Sequence, residues 1–127
     1  MNRQTTPIRT AIYARVGAGK QGGGCTAQIQ QLKEYVENDA RRSLNGVYAD
    51  DGVSANAHRP QWEQLLADCD AGKYDEILAV SLSRLERNSS KFSQLVGRLA
   101  NANVRIATMQ EDHTRLSLIS GSVMNDG

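Results

Sequence analysis

The amino-acid sequence predicts an α/β fold, a mainly parallel sheet of four to five strands flanked by helices. Short runs rich in β-branched, aromatic and aliphatic residues alternate along the chain with longer segments whose apolar residues recur at helical spacing. Parallel neighbours need crossovers of about a dozen residues or more, which those segments supply. The length, 127 residues, fits one domain with a real core and is too short for a second of ordinary size.

Each element has its own signature. Thr10 to Val16, TAIYARV, is β-branched and aromatic enough for a buried first strand, and it runs straight into the glycine-rich GAGKQGGG, whose glycines at 22 to 24 favour a flexible loop. From Thr26 to Arg42, Ile29, Leu32, Tyr35 and Val36 recur at helical spacing between polar residues, predicting a first helix. Leu44 to Tyr48 reads as a short second strand. The following ADDGVSANAHRP is dense in Asp, Gly, Ser and Asn and predicts a loop, with Pro60 opening the next helix. In that helix Trp62, Leu65, Leu66 and Cys69 follow i, i+3, i+4, i+7, and Gly72 stands where its C-terminus would end. Glu76 to Val80 reads as a continuous third strand. SLSRLERNSS then brings Asn88, Ser89 and Ser90 as capping residues before a third helix with Phe92, Leu95, Val96 and Leu99 on one stripe. Val104 to Met109 predicts a further strand, and the weakly periodic stretch from Gln110 to Gly127 a helix beginning near Ser120.

Composition narrows the function classes. No apolar run approaches the roughly 20 residues that cross a bilayer, and Met1 to Pro7 carries no apolar leader, so a cytoplasmic protein without a membrane partner is expected. A formal charge of +1 argues against gripping nucleic acid by bulk electrostatics, since such domains usually have a pI above roughly 9. Any DNA affinity must be local. Arg far outnumbers Lys among the fifteen basic residues, and the planar guanidinium suits bidentate phosphate contacts, although codon bias in a GC-rich genome gives the same excess.

Candidate chemistry sits after the strands. Arg15, Arg84 and Arg87 fall at or beyond strand ends that a parallel sheet places along one edge, and the long loop can bring Arg59 to them. A convergent cluster of that kind needs an anion; the alternative is four solvated surface charges. The glycine loop fails as a nucleotide cradle, because Gly19 and Lys20 are followed by Gln21 and position 14 is Ala14, which breaks G-x-x-x-x-G-K-[ST]. Asp50 with Asp51, and Glu111 with Asp112 and His113, match no metal-ligand spacing and read as turn formers and surface charge. Cys25, Cys69, His58 and His113 are isolated and form no zinc signature; Cys69 is expected to be a buried thiol.

Three separated motifs carry a resemblance. Tyr13-Ala14-Arg15-Val16, with Gln21 and Gln28 after it, is similar to the Y-x-R-V-S opening of serine recombinases, the resolvase and invertase group. YADDGVSANAHRP, Tyr48 to Pro60, resembles that family's aromatic-x-Asp segment leading to Arg-Pro and places Asp50, Ser54 and Arg59 on it. SLSRLERN resembles L-D-R-L-x-R and places Arg84 and Arg87. Order and spacing agree from Ile12 to Met124, and the ADDG wording leans toward the large recombinases of phages and mobile elements, which perform DNA integration.

The resemblance implies a resolvase-like catalytic domain acting in site-specific DNA recombination. In that family a serine hydroxyl attacks a DNA phosphate, leaving a 5′-phosphoserine bond and a free 3′-hydroxyl, within a dimer or tetramer and with no cofactor. Arg15, Arg59, Arg84 and Arg87 would offset charge on the non-bridging oxygens, supported by Tyr13, Gln21, Gln28, Asp50 and Ser54. Two departures bear on activity: Gly17 stands where the serine belongs and has no attacking atom, and Ser83 replaces the acid of L-D-R. Ala55 also replaces a usual glycine, and Cys25 and Thr26, the conceivable substitute nucleophiles, lie many residues along the loop with no geometry that favours either. Residues 1 to 127 are thus expected to be a single catalytic domain lacking the dimerisation helix and DNA-binding region, with DNA and copies of itself as partners in a full-length context and cleavage lost. The alternative is a non-catalytic module that associates with recombinase subunits or a DNA phosphate, and a metal-dependent nuclease is the third reading.

Overall fold

The computed structural model describes residues 6–17, 24–52, 58–86 and 88–109. Eight elements follow in order: β1 (Ile8–Val16), α1 (Thr26–Glu37), β2 (Arg42–Asp51), α2 (Pro60–Asp70), β3 (Glu76–Ala79), a 3-10 helix (Leu82–Arg84), α3 (Ser89–Asn101) and β4 (Arg105–Thr108). The four strands form one parallel sheet in the order β2-β1-β3-β4. Gln110 to Gly127, with the helix expected near Ser120, lies outside the described residues, as do positions 18–23 and 53–57.

Strand alternation divides the core. Ile12, Ala14 and Val16 of β1 face α1 and pack with Cys25, Leu32 and Val36, while Ala11 and Tyr13 face α2 and α3 and pack with Trp62, Leu65, Cys69, Leu95 and Leu99. Both faces of the sheet are therefore covered, as parallel sheets require. Cys69 is fully buried, as its place on the helical stripe predicts, and burial pushes its thiol up to about 12.

The boundaries around the second strand differ from the expected ones. The first helix ends at Glu37 rather than Arg42, because Asp39 turns the chain: its carboxylate accepts from the Arg41 amide at 2.9 Å and pairs with Arg42 at 2.8 Å. Arg42 thereby opens β2. That strand runs to Asp51 instead of stopping at Tyr48, pairing with β1 from Ile8↔Arg42 to Val16↔Asp51 and taking the start of the expected loop into the sheet. Asp50 is buried and not a surface turn former, since it has hydrogen-bond donors on the neighbouring elements. A bulge at Asn45 lets Leu44 pair with Thr10 and Gly46 with Ala11.

The topology positions a site. α1 follows β1 on one face and α3 follows β3 on the other, so the connections leave these two adjacent strands toward opposite faces. β1 reaches beyond β3, which pairs only with Thr10 to Ile12. The flank of β1 near Arg15 is thus left to the 3-10 helix and to side chains of α1.

Candidate functional site

Asp50 organises the beginning of α2. Pro60 occupies the first helical position and has no N–H, and the Arg59 side chain makes no capping bond. The orphan amides of Gln61 and Trp62 donate instead to Asp50, at 3.1 and 2.9 Å, from the end of β2. The Tyr13 hydroxyl donates to the same carboxylate at 2.8 Å. Burial, then the hydrogen bond to Asp50 and its charge, raise the Tyr13 pKa, against which Arg59 acts; the phenol stays a neutral donor at neutral pH.

Arg59 is fixed by what surrounds this cap. It is 5% exposed, its guanidinium donates to the Leu85 carbonyl at 2.7 Å, and it lies 5.0 Å from the centre of the Trp62 ring. Its carboxylate contact, Glu86, is at 3.5 Å. Arg15, 3% exposed, donates through Nε to the Arg84 carbonyl at 3.3 Å. Gln28 of α1 clamps the Arg15 peptide from the other side: its Oε1 accepts from the Arg15 amide at 3.3 Å and its Nε2 donates to the Arg15 carbonyl at 3.1 Å.

The segment Arg84–Glu86 therefore joins Arg15 to Arg59. Two buried cations rest on neutral carbonyls of adjacent residues, and Arg84 itself, half-buried, has no ion pair among the described residues. Carbonyl dipoles help to hold both guanidinium groups in place, and Glu86 adds a carboxylate beside Arg59. The alternative of solvated surface charges does not hold for Arg15 and Arg59, which are buried.

Position 17 lies directly after β1. A Cβ built on Gly17 meets nothing within 4 Å, and its backbone is outside the left-handed region. Cys25 is buried on the α1 face with Ala14 and Val16, across the sheet from Arg59 and Trp62. Its thiol donates to the Asp50 carbonyl at 3.7 Å, and burial first, then the charge of Asp51, raises its pKa. It is a poor nucleophile in the wrong place. Thr26 is exposed at the start of α1.

Of the other candidates, Ser83 belongs to the same 3-10 helix as Arg84, whereas Gln21, Ser54 and Arg87 lie outside the described residues. Among the described residues no three His, Cys, Asp or Glu side chains converge on a possible metal site, and no helix is long and apolar enough to cross a membrane. The Trp62 ring beneath Arg59 and the flanking Glu86 are absent from the sequence-level site. Helical spacing marks Trp62 only as core, and nothing in the motif marks Glu86.

Comparison with known proteins bears on the family and the fold. The family model for the resolvase N-terminal domain matches residues 10–124. The fold is similar to the N-terminal catalytic domain of TP901-1 integrase, with a TM-score of 0.74 at 24% identity over 88% of this chain and 91% of that one. It is also similar to the C-terminal catalytic domain of ISC1926 TnpA, an IS607-like serine recombinase, with a TM-score of 0.71, 24% identity and coverage of 86% and 75%. A resolvase family site-specific recombinase from Streptococcus pneumoniae gives a TM-score of 0.68 at 21% identity, covering 91% and 85%. No curated protein matches the sequence.

Proposed function

The chain belongs to the resolvase N-terminal domain family, and from that premise we propose that it is the DNA-phosphate-holding domain of a site-specific serine recombinase whose own cleavage step is silent. The observation that carries this reading is the pairing of an assembled arginine cluster with a residue that has no side chain. Arg15 and Arg59 donate to the adjacent carbonyls of Arg84 and Leu85, and Gly17 follows the strand that carries Arg15. The guanidinium groups would bind the non-bridging oxygens of a phosphodiester and stabilise charge building there, while no atom at position 17 can attack phosphorus. DNA is the substrate class, no cofactor is called for, and assembly with further copies or with active recombinase subunits would bring two such sites to a duplex. Arg84 and Arg87 complete the cluster in this reading, with Tyr13, Gln21, Gln28, Asp50, Ser54 and Ser83 around it.

Residues 1 to 127 replacing the matching segment of an active large recombinase supply the test, read as covalent capture of DNA. The unaltered chimera is expected to form no adduct and the Gly17→Ser chimera to form one, because a serine side chain has open space there. An adduct with Gly17 in place overturns the silent-cleavage reading. Capture by neither, with both chimeras binding DNA, means that Ser83 or the scaffold has also lost the chemistry.

A further inference from the structure

We propose that Asp51 is a positioning residue that anchors the start of α1 and through it holds Gln28 on the Arg15 peptide. The role assigned to Arg15 rests on the phosphate reading above; the anchoring does not.

Consecutive residues of a strand point to opposite faces, and β2 ends on two aspartates. Asp50 takes the α2 face, where it caps Gln61 and Trp62. Asp51 takes the α1 face. Its Oδ2 accepts from the Cys25 amide at 3.5 Å, and its carboxylate lies against the bare Cα of Gly24. A Cβ at Gly24 would come within 2.7 Å of Asp51 Oδ1 and 2.8 Å of its Cγ, and Gly24 also has φ +53. Space and backbone conformation thus independently demand glycine beside this carboxylate. Two further bonds fix the corner: the Cys25 thiol reaches the Asp50 carbonyl, and the Gly52 amide donates to the Val16 carbonyl at 2.8 Å. Gln28 follows one turn into α1, clamped on Arg15 along the flank that β3 does not reach. A shift at the helix start therefore carries Gln28 and loosens the Arg15 peptide.

The two cysteines report on this directly. Cys25 sits under the Asp51 corner, whereas Cys69 is buried on the far face and reports general unfolding. Alkylation of the full chain, read at each cysteine by peptide mass spectrometry, is compared for the wild type, Asp51→Asn and Gly24→Ala. Both variants are expected to react about tenfold faster at Cys25 with Cys69 unchanged, as local opening requires. In Asp51→Asn the pH profile of the Cys25 rate also moves to lower pH, since one of the facing charges, Asp51, Asp50 and Arg15, has been removed. An unchanged Cys25 rate, or equal acceleration at both cysteines, overturns the anchor. Binding of a short DNA duplex at low salt is expected to weaken about threefold or more in Asp51→Asn as the Arg15 peptide loses its clamp. Faster Cys25 labelling with undiminished binding overturns the link to Arg15. Failure of the wild type to bind DNA would instead defeat the phosphate reading, leaving the thiol result to decide the anchor.

Discussion

Asp50 accepts from the Tyr13 hydroxyl and from the amides of Gln61 and Trp62, so three donors on two elements depend on one carboxylate. Replacing it by Ala strands those donors in a buried setting and removes the only side-chain cap described at the start of α2. The expected loss is about 3 kcal/mol of folding stability in urea unfolding, since a lost cap costs about 1 and each buried unsatisfied group about 1–3. Asp50→Asn keeps one acceptor oxygen and should cost about half as much. A loss below 1 kcal/mol for the Ala variant would show that water replaces the carboxylate, and that Arg59 is held without it. The cap fixes the first turn of α2, which Arg59 immediately precedes and whose Trp62 ring lies under its guanidinium.

At the scale of elements, the sequence foretold strands and helices wherever periodicity was strong, and failed at polar boundaries. Trp62, Leu65, Leu66 and Cys69 located α2 because their spacing is a direct imprint of one buried face. Asp50 and Asp51 read as loop, because aspartate in a strand is unfavourable unless distant donors compensate, and those donors arrive only with the fold. The site divides in the same way. Arg15, Arg59 and Arg84 were legible through their motifs, while Trp62 and the Leu85 carbonyl meet Arg59 only in three dimensions. Gly46 illustrates a further constraint invisible in one dimension. It follows the Asn45 bulge, and a Cβ there would strike the Tyr74 hydroxyl and approach Tyr74 Cζ to 2.7 Å. Tyr74 shares a 2.6 Å hydrogen bond with Tyr48, whose hydroxyl donates to the buried Asp68 at 2.5 Å. Gly46→Ala must displace Tyr74 from this network, at an expected cost of about 1–3 kcal/mol by thermal or urea unfolding. A neutral result would mean that β2 absorbs the methyl by shifting at its bulge.

Across the whole molecule, the two ends of the sheet use arginine in opposite ways. At the carboxyl ends Arg15 and Arg59 donate to backbone carbonyls, with Glu86 3.5 Å from Arg59; at the amino ends Arg42 sits on two carboxylates. There the Glu76 carboxylate, completely buried, accepts from Arg42 at 2.7 and 3.0 Å, from Arg105 at 2.9 Å and from Thr10 at 2.9 Å, and Arg42 also pairs with Asp39. Burial by itself would raise the Glu76 pKa, but the bond to Arg42 and the charges of Arg42 and Arg105 outweigh it and leave it below 4.5. The hydrogen bonds from Arg41 and the nearby charges take Asp39 from 3.8 to about 2. Both carboxyls bind protons more weakly folded than unfolded, so each contributes stability that is fully present above its unfolded value and is lost as pH falls through the folded one. Stability should therefore be flat above about pH 5 and fall through the window set by 4.5 and 3.8 down to about 2, followed by circular dichroism across that range. Glu76→Gln leaves Arg42 without its buried counter-charge, so it should lower stability at pH 7 by about 3–5 kcal/mol and flatten the acid limb. An acid limb as steep in Glu76→Gln as in the wild type would place the acid sensitivity outside this network.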